Sequence, residues 1–353
     1  MKCNLEFLQQ VLVVLAFSVP GVAGETPARP ARPPLIVSPE THSDRRVTFR
    51  LWAPKAGEVT VVGQWSDGRS AMTRDTNGVW TVTLGPNNPA IKPMRSPRTS
   101  ILHLPGQPPL IHDLRDVPHG SVRLHTYPSK SLGRAREMVV YTPPGYDVDR
   151  DRRYPVLWLQ HGMGDNQATW TVHGKAQWIL DNLLAERRAQ PMLIVMLDGH
   201  AAWPGAQGFG NNTEVFERDL IEDAMPFVEA NYRVKAGPMY RAIVGLSMGG
   251  HQSLTIGLQH TDLFGWVGGF SSAVPSRESV ATALDHPDVT NSRLKLLWIA
   301  CGKNDFLLQR NREFVALLKE KGVRHEWELT AGDHSWPVWR RYLAALAPRL
   351  FQS

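Results

Sequence analysis

A short apolar run, Ala242-Ile243-Val244, passes directly into Gly245-Leu246-Ser247-Met248-Gly249-Gly250 and then into a stretch of helical character at 251–259. No other feature of the chain limits its fold so tightly. A strand that becomes a helix within one residue brings two backbones closer than a Cβ allows, and glycines at 245 and 249 remove that obstacle. The residue at the corner is then held on a strained turn with its side chain exposed above the end of the strand. Here that residue is a serine. The strand–turn–helix setting is what distinguishes this G-x-S-x-G from a chance match.

The surrounding pattern agrees. Between about residue 120 and the C-terminus, apolar runs alternate with helical periodicity. Strands are expected at 137–142, 155–160, 192–197, 241–246, 266–270, 295–300 and 325–329. Their centres are nearly continuous apolar runs, as buried parallel strands require. A helix is expected at 215–230, where Phe216, Leu220, Ala224, Met225 and Val228 recur at helical spacing. The fold class is therefore α/β, a mainly parallel, doubly wound sheet covered on both faces.

A serine hydroxyl is a weak nucleophile and needs a base held in place by a third group. Asp305 follows the apolar run 296–300 in Gly302-Lys303-Asn304-Asp305, and His334 follows the last expected strand in Gly332-Asp333-His334-Ser335-Trp336. Both loops leave carboxyl ends of strands, the edge that carries Ser247. The expected roles are Ser247 as nucleophile, His334 as base and Asp305 as the group that orients the base. Asp333 is the rival acid; its adjacency to His334 counts against it, because neighbouring side chains seldom face each other. The backbone N–H of Met248, at a helix start, is one expected oxyanion donor. The other is Met163, with Gly162 as the alternative, in His161-Gly162-Met163-Gly164 directly after Val156-Leu157-Trp158-Leu159. His161, Trp170, Trp203 and Trp336 are candidate substrate contacts, with Trp339 beside them on the same loops. No metal is expected. Asp147, Asp149 and Asp151 imitate the start of a calcium loop, but its glycine and closing glutamate are missing and Arg150, Arg152 and Arg153 stand among them. The chemistry asks for no cofactor.

The N-terminus reads as a cleaved secretory signal. Lys2 precedes an apolar core at 11–19, too short to span a bilayer, and Gly21, Ala23 and Gly24 supply a small-residue cleavage context. The mature protein is then secreted or periplasmic and makes no further use of the membrane. Cys301 becomes its only cysteine, so no intrachain disulfide can form. The chain carries a net charge of +6. Its arginines lie in short, scattered pairs, without the basic stripe and interleaved aromatics of a nucleic-acid surface. The 353 residues suit one large domain and one small one: a signal at 1–24, a Pro- and Arg-rich linker at 25–39, a small β module at 40–90, a Pro-rich linker or strap at 91–119, and the α/β domain at 120–353. Within the module, Val47, Phe49 and Leu51 alternate with polar neighbours, and Asn77-Gly78 marks a hairpin before Trp80, Val82 and Leu84.

Taken together, Val139-Val140-Tyr141-Thr142-Pro143-Pro144-Gly145-Tyr146, His161-Gly162-Met163-Gly164, the serine turn, the Asp305 loop and the His334 loop resemble the esterase D-like family of α/β-hydrolases. That group includes family 1 carbohydrate esterases, enterochelin-type esterases and mycolyltransferases. The resemblance covers about residues 120 to 350. It implies a serine carboxylesterase acting on feruloyl or acetyl groups of xylan-type polysaccharides, and it favours Asp305 over Asp333. Siderophore ester hydrolysis and acyl transfer are the alternatives within that chemistry, and a non-catalytic carbohydrate-binding protein is the alternative outside it. Phe49-Arg50-Leu51-Trp52-Ala53-Pro54 and Val59-Thr60-Val61-Val62-Gly63 are similar to family 48 carbohydrate-binding modules, which implies an early-set, immunoglobulin-like domain. Here Leu84-Gly85-Pro86 runs almost directly to Asn88-Pro89, so the module reads as shortened.

Overall fold

The computed structural model describes residues 36–44, 46–62, 69–85, 106–202 and 208–352. The signal at 1–24 and Trp203 lie outside them. The larger part is built on an eight-stranded sheet: β1 (Ser121–Ser129), β2 (Arg134–Thr142), β3 (Val156–Gln160), β4 (Leu193–Leu197), β5 (Arg241–Leu246), β6 (Trp266–Phe270), β7 (Leu296–Gly302) and β8 (Glu326–Thr330). Their spatial order is β8-β7-β6-β5-β3-β4-β2-β1. From β4 through β8 every pairing is parallel; β2 is antiparallel both to β4 and to β1.

Period-2 alternation divides each buried strand between two cores. Val156 and Trp158 of β3 and Ile243 of β5 pack on one face. Leu157 and Leu159 of β3 and Ala242, Val244 and Leu246 of β5 pack on the other. Both faces are therefore covered by helices, the reason the strands read as unbroken apolar runs. The helices that matter for the site are α1 (Ala176–Ala185), α2 (Ser247–Gln259), α3 (Leu308–Glu320) and α4 (Trp336–Leu346). The helix expected at 215–230 forms as Gly208–Arg218 and Met225–Asn231, joined by a wider π turn at Asp219–Ala224.

Strand β1 is absent from the sequence-based expectation because its pattern is inverted. Val122 and Leu124 are exposed. The inward face carries Arg123, which lies over the rings of Tyr146 and Tyr232 at 5.3 and 5.9 Å, and Tyr127, whose hydroxyl donates to buried Asp219 at 2.7 Å. Pro128 sits where an edge strand tolerates a missing donor.

The smaller part is antiparallel. Glu40–Thr41, Val47–Trp52, Val79–Leu84 and Thr73–Arg74 form one sheet in that order, and Thr60–Val62 pairs with Arg69–Ala71. Gly78, at φ +79°, makes the tight turn that leads into Val79–Leu84. Trp80 is buried and donates from its indole to Ala53 O at 2.9 Å. Residues 106–120 run along α1. Asp113 Oδ2 accepts from the N–H groups of Gly106 and Leu110 at 2.8 and 2.7 Å. The Asn182 amide donates to Ile111 O and Asp113 O. No helix among the described residues is long and apolar enough to cross a membrane.

Candidate active site

The corner at the end of β5 is as tight as its glycines imply. Ser247 has φ +54°, a left-handed conformation that costs an L-residue about 1–2 kcal/mol. A Cβ on Gly245 would lie 2.3 Å from Gly249 O, and one on Gly249 would lie 2.3 Å from His161 O and 2.8 Å from the Gln160 carbonyl carbon. Strand, helix α2 and the loop after β3 thus meet in backbone-to-backbone contact. Replacing Gly249 by Ala must push this loop away. We expect destabilisation of about 2 kcal/mol or more, seen as a fall in melting temperature, together with lost activity. An unchanged melting temperature would show that the three segments do not touch there.

Asp305 ends the turn that follows β7, where its N–H donates to Gly302 O at 3.1 Å. Its side chain is buried, with Oδ1 accepting from Leu307 N–H at 2.8 Å and Oδ2 lying 2.9 Å from His334 Nδ1. A carboxylate only accepts, so His334 Nδ1 carries the proton and Nε2 is left as the basic nitrogen. Burial pushes the Asp305 carboxyl up, but the bonds from His334 and the Leu307 N–H outweigh it and hold the group below the usual carboxylate range. Asp333 faces elsewhere: its Oδ1 accepts a hydrogen bond from the Ser335 hydroxyl. The His334 ring lies between Phe306, 4.5 Å away, and Trp339, perpendicular at 4.9 Å.

The loop after β3 is fixed through His161. Its Nδ1 donates to Gly162 O at 2.8 Å and its Nε2 accepts from Gly199 N–H at 2.8 Å, so both ring nitrogens are engaged and the ring is fixed in place. Gly164 N–H donates to His200 Nε2 at 3.1 Å. His161 was expected to touch substrate; instead it is 1% exposed and holds the loop in shape.

Ser247 and His334 line one cavity of about 410 Å³, with Gly162, Met163, Gly164, Asp165, Leu246, Ala273, Phe306, Leu307, Arg310 and Trp339. Among the described residues no hydrogen bond joins Ser247 Oγ to His334 Nε2. Such contacts commonly close only when substrate arrives. Helix α2 begins at Ser247, so the Met248 N–H belongs to the first turn, whose donors have no partner within the helix. Asp165 also lies here; burial pushes its carboxyl up to about 6, against the nearby His161.

Two expected contacts are misplaced. Trp170 and Trp336 are 1% and 0% exposed and pack edge to face at 5.1 Å beneath the site. The Trp170 indole donates to Gln160 O at 2.9 Å. Among the described residues Trp339 is the tryptophan that reaches the cavity wall. Phe306, Arg310, Ala273 and Asp165 were not foreseen. Phe306 had a signal, since it directly follows Asp305; the others reach the cavity only through the tertiary path of their loops. At the false calcium loop, Asp149 Oδ1 caps the N–H groups of Asp151 and Arg152, and Asp147 pairs with Arg123 at 2.6 Å.

Residues 129–350 match the family model described as "Putative esterase", and residues 36–94 match that of carbohydrate-binding module 48, the isoamylase N-terminal domain. An endo-1,4-beta-xylanase/feruloyl esterase of Xylanibacter ruminicola is 31% identical over 341 residues, which are 89% of this chain and 46% of that protein. The chain thus spans about half the length of this relative. A ferulic acid esterase of Anaeromyces mucronatus, solved in complex with ferulic acid, superposes at a TM-score of 0.58 with 26% identity, covering 68% of this chain and 93% of that one. The enterobactin esterase of Shigella flexneri superposes at 0.61 with 17% identity over 87% of this chain and 93% of its own, a likeness of fold that takes in both parts.

Proposed function

Because the chain belongs to the esterase family whose model spans residues 129–350, we propose that this serine esterase cleaves carbohydrate-linked carboxylic esters, feruloyl in preference to acetyl groups of xylan-type polysaccharides, through Ser247, His334 and Asp305. The observation that carries the reading is the cavity itself. A serine on a strained strand–helix corner shares it with a histidine whose far nitrogen is bound by a buried carboxylate. In this reading Ser247 Oγ attacks the ester carbonyl carbon while His334 Nε2 takes its proton. The oxyanion faces the N–H groups of Met163 and Met248. His334 then returns the proton to the leaving alcohol, and water releases the acid from the acyl-enzyme by the same steps.

The acyl preference rests on the walls. Met163, Ala273, Phe306, Leu307 and Trp339 give the cavity an apolar lining larger than an acetyl group fills, and Phe306 is 76% exposed. The ferulic acid named in the Anaeromyces mucronatus complex is an aromatic acid of suitable size. The leader-like N-terminus fits an exported enzyme with an external polysaccharide substrate.

The test is product release from methyl ferulate and from acetylated xylan, side by side, with Ser247→Ala as the blank. Ferulate release supports the reading; acetate release alone would replace it with a deacetylase. Phe306→Ala should lower kcat/KM for methyl ferulate about 10-fold and spare a short acetyl ester. Equal losses on both would assign Phe306 to support of the His334 ring alone.

A further inference from the structure

We propose that Asp165 recognises a hydroxyl on the alcohol side of the substrate, next to the ester bond that is cleaved; this rests on the serine esterase reading above. Asp165 follows Gly164 on the loop after β3 and lines the cavity shared by Ser247 and His334. A Cβ on Gly162 would lie 3.4 Å from Ser247 Cβ and 3.8 Å from Asp165 Oδ2. Ser247 Cβ and the Asp165 carboxylate thus both border the space beside Gly162.

Its oxygen Oδ2 is buried and has no hydrogen-bond partner, although the Gly162 N–H and the His161 ring favour the charge of the carboxylate as a whole, and among the described residues it forms no ion pair. The other polar side chains of this loop are engaged. His161 holds Gly162 and Gly199, Asn166 accepts from Ala168 N–H and Thr169 Oγ1, and Gln167 donates to Glu137. Asp165 alone is left with an unused acceptor. A buried acceptor without a donor is costly, and substrate that expels water from the cavity raises that cost unless it brings a donor.

The chemistry of the ester says where such a donor sits. An acetyl group has none. A feruloyl group carries its one hydroxyl at the far end of a rigid conjugated arm, away from the carbonyl. A sugar carries hydroxyls on the carbons beside the esterified one. Only the alcohol part places an O–H near the scissile bond, and a carboxylate is its strongest neutral-pH acceptor. The structure thus assigns Asp165 the discrimination between sugar esters and simple alkyl esters of the same acid.

The experiment compares kcat/KM for methyl ferulate and for a feruloylated arabinofuranoside, in the wild type and in Asp165→Asn, with the rate of Ser247 labelling by a fluorophosphonate as the check on fold and nucleophile. Asp165→Asn should lose about 10- to 100-fold on the arabinoside. The loss on methyl ferulate, which brings no such hydroxyl, should be about 10-fold smaller than on the arabinoside, with Ser247 labelling reporting whether the nucleophile stays in place. A feruloyl arabinoside lacking the neighbouring hydroxyl should show the same loss with the wild type, and no further loss with the variant. Equal losses on methyl and sugar ester would overturn the proposal and make Asp165 a support of its loop. So would an unchanged rate on the arabinoside. A wild type that cleaves neither ester, whatever the variant does, would sink the feruloyl esterase reading itself and this inference with it.

Discussion

Ser247→Ala will lower kcat for any ester this enzyme cleaves by about 10⁴-fold or more while leaving its thermal stability within about 0.5 kcal/mol of the wild type. The two halves of that result have separate causes. In the proposed mechanism the hydroxyl supplies the attacking atom, so no neighbouring group can replace it. It contributes little to the fold, because among the described residues Ser247 Oγ forms no hydrogen bond. The strain at φ +54° stays with the backbone and is the same for alanine. Turnover that survives in this variant would remove Ser247 from the mechanism. A large fall in stability would mean that the lost activity reports unfolding.

Asp305→Asn should cost about 10⁴-fold in kcat, and Asp333→Asn far less. The amide is isosteric, so the geometry can persist, but its NH₂ group can face His334 only as a donor. The imidazole must then present a lone pair at Nδ1 and carry its proton on Nε2, where it cannot accept one from Ser247. Asp333 has no such hold on the ring, since its Oδ1 is taken by the Ser335 hydroxyl. The pH dependence follows by sign. The folded-state pKa of Asp305 is depressed, so its ionised form contributes stability above the ordinary carboxylate pKa, and that contribution disappears as the pH falls through the lower folded value. Asp305→Asn should therefore narrow the stability gap to the wild type in acid and widen it at neutral pH, as followed by thermal unfolding across that range. The reverse activity order for the two aspartates would move the acid to Asp333.

The parts of the site that could be read from the chain are those dictated by local backbone contact. Gly245 and Gly249 mark the corner because a Cβ on either would lie 2.3 Å from a backbone oxygen, closer than side-chain carbons come. Asp305 and His334 lie at the ends of two parallel strands, β7 and β8, and parallel strands deliver their loops to one edge whatever the rest of the chain does. The tryptophans were harder to assign because sequence position gives no depth. Trp170 and Trp336 sit on the expected loops, yet both fold beneath them into the core on one face of the sheet. Trp339, three residues beyond Trp336 and so on nearly the same side of α4, reaches the cavity wall. Strand β1 escaped for the opposite reason. Its buried face is polar and aromatic and its outward face is apolar, because its partners Tyr146, Tyr232 and Asp219 come from distant loops and helices. Asp165 gave no signal at all, since an acidic residue after a glycine in a loop is ordinarily solvated.

In the proposed mechanism ester cleavage passes through an acyl group carried on Ser247. Mixing the enzyme with excess methyl ferulate, quenching in acid before the steady state and mapping the adduct by peptide mass spectrometry tests it most directly. A feruloyl group should appear on the peptide that contains Ser247, formed with a burst of methanol and missing from Ser247→Ala. Ferulate release without an adduct on that peptide, persisting in Ser247→Ala, would contradict it.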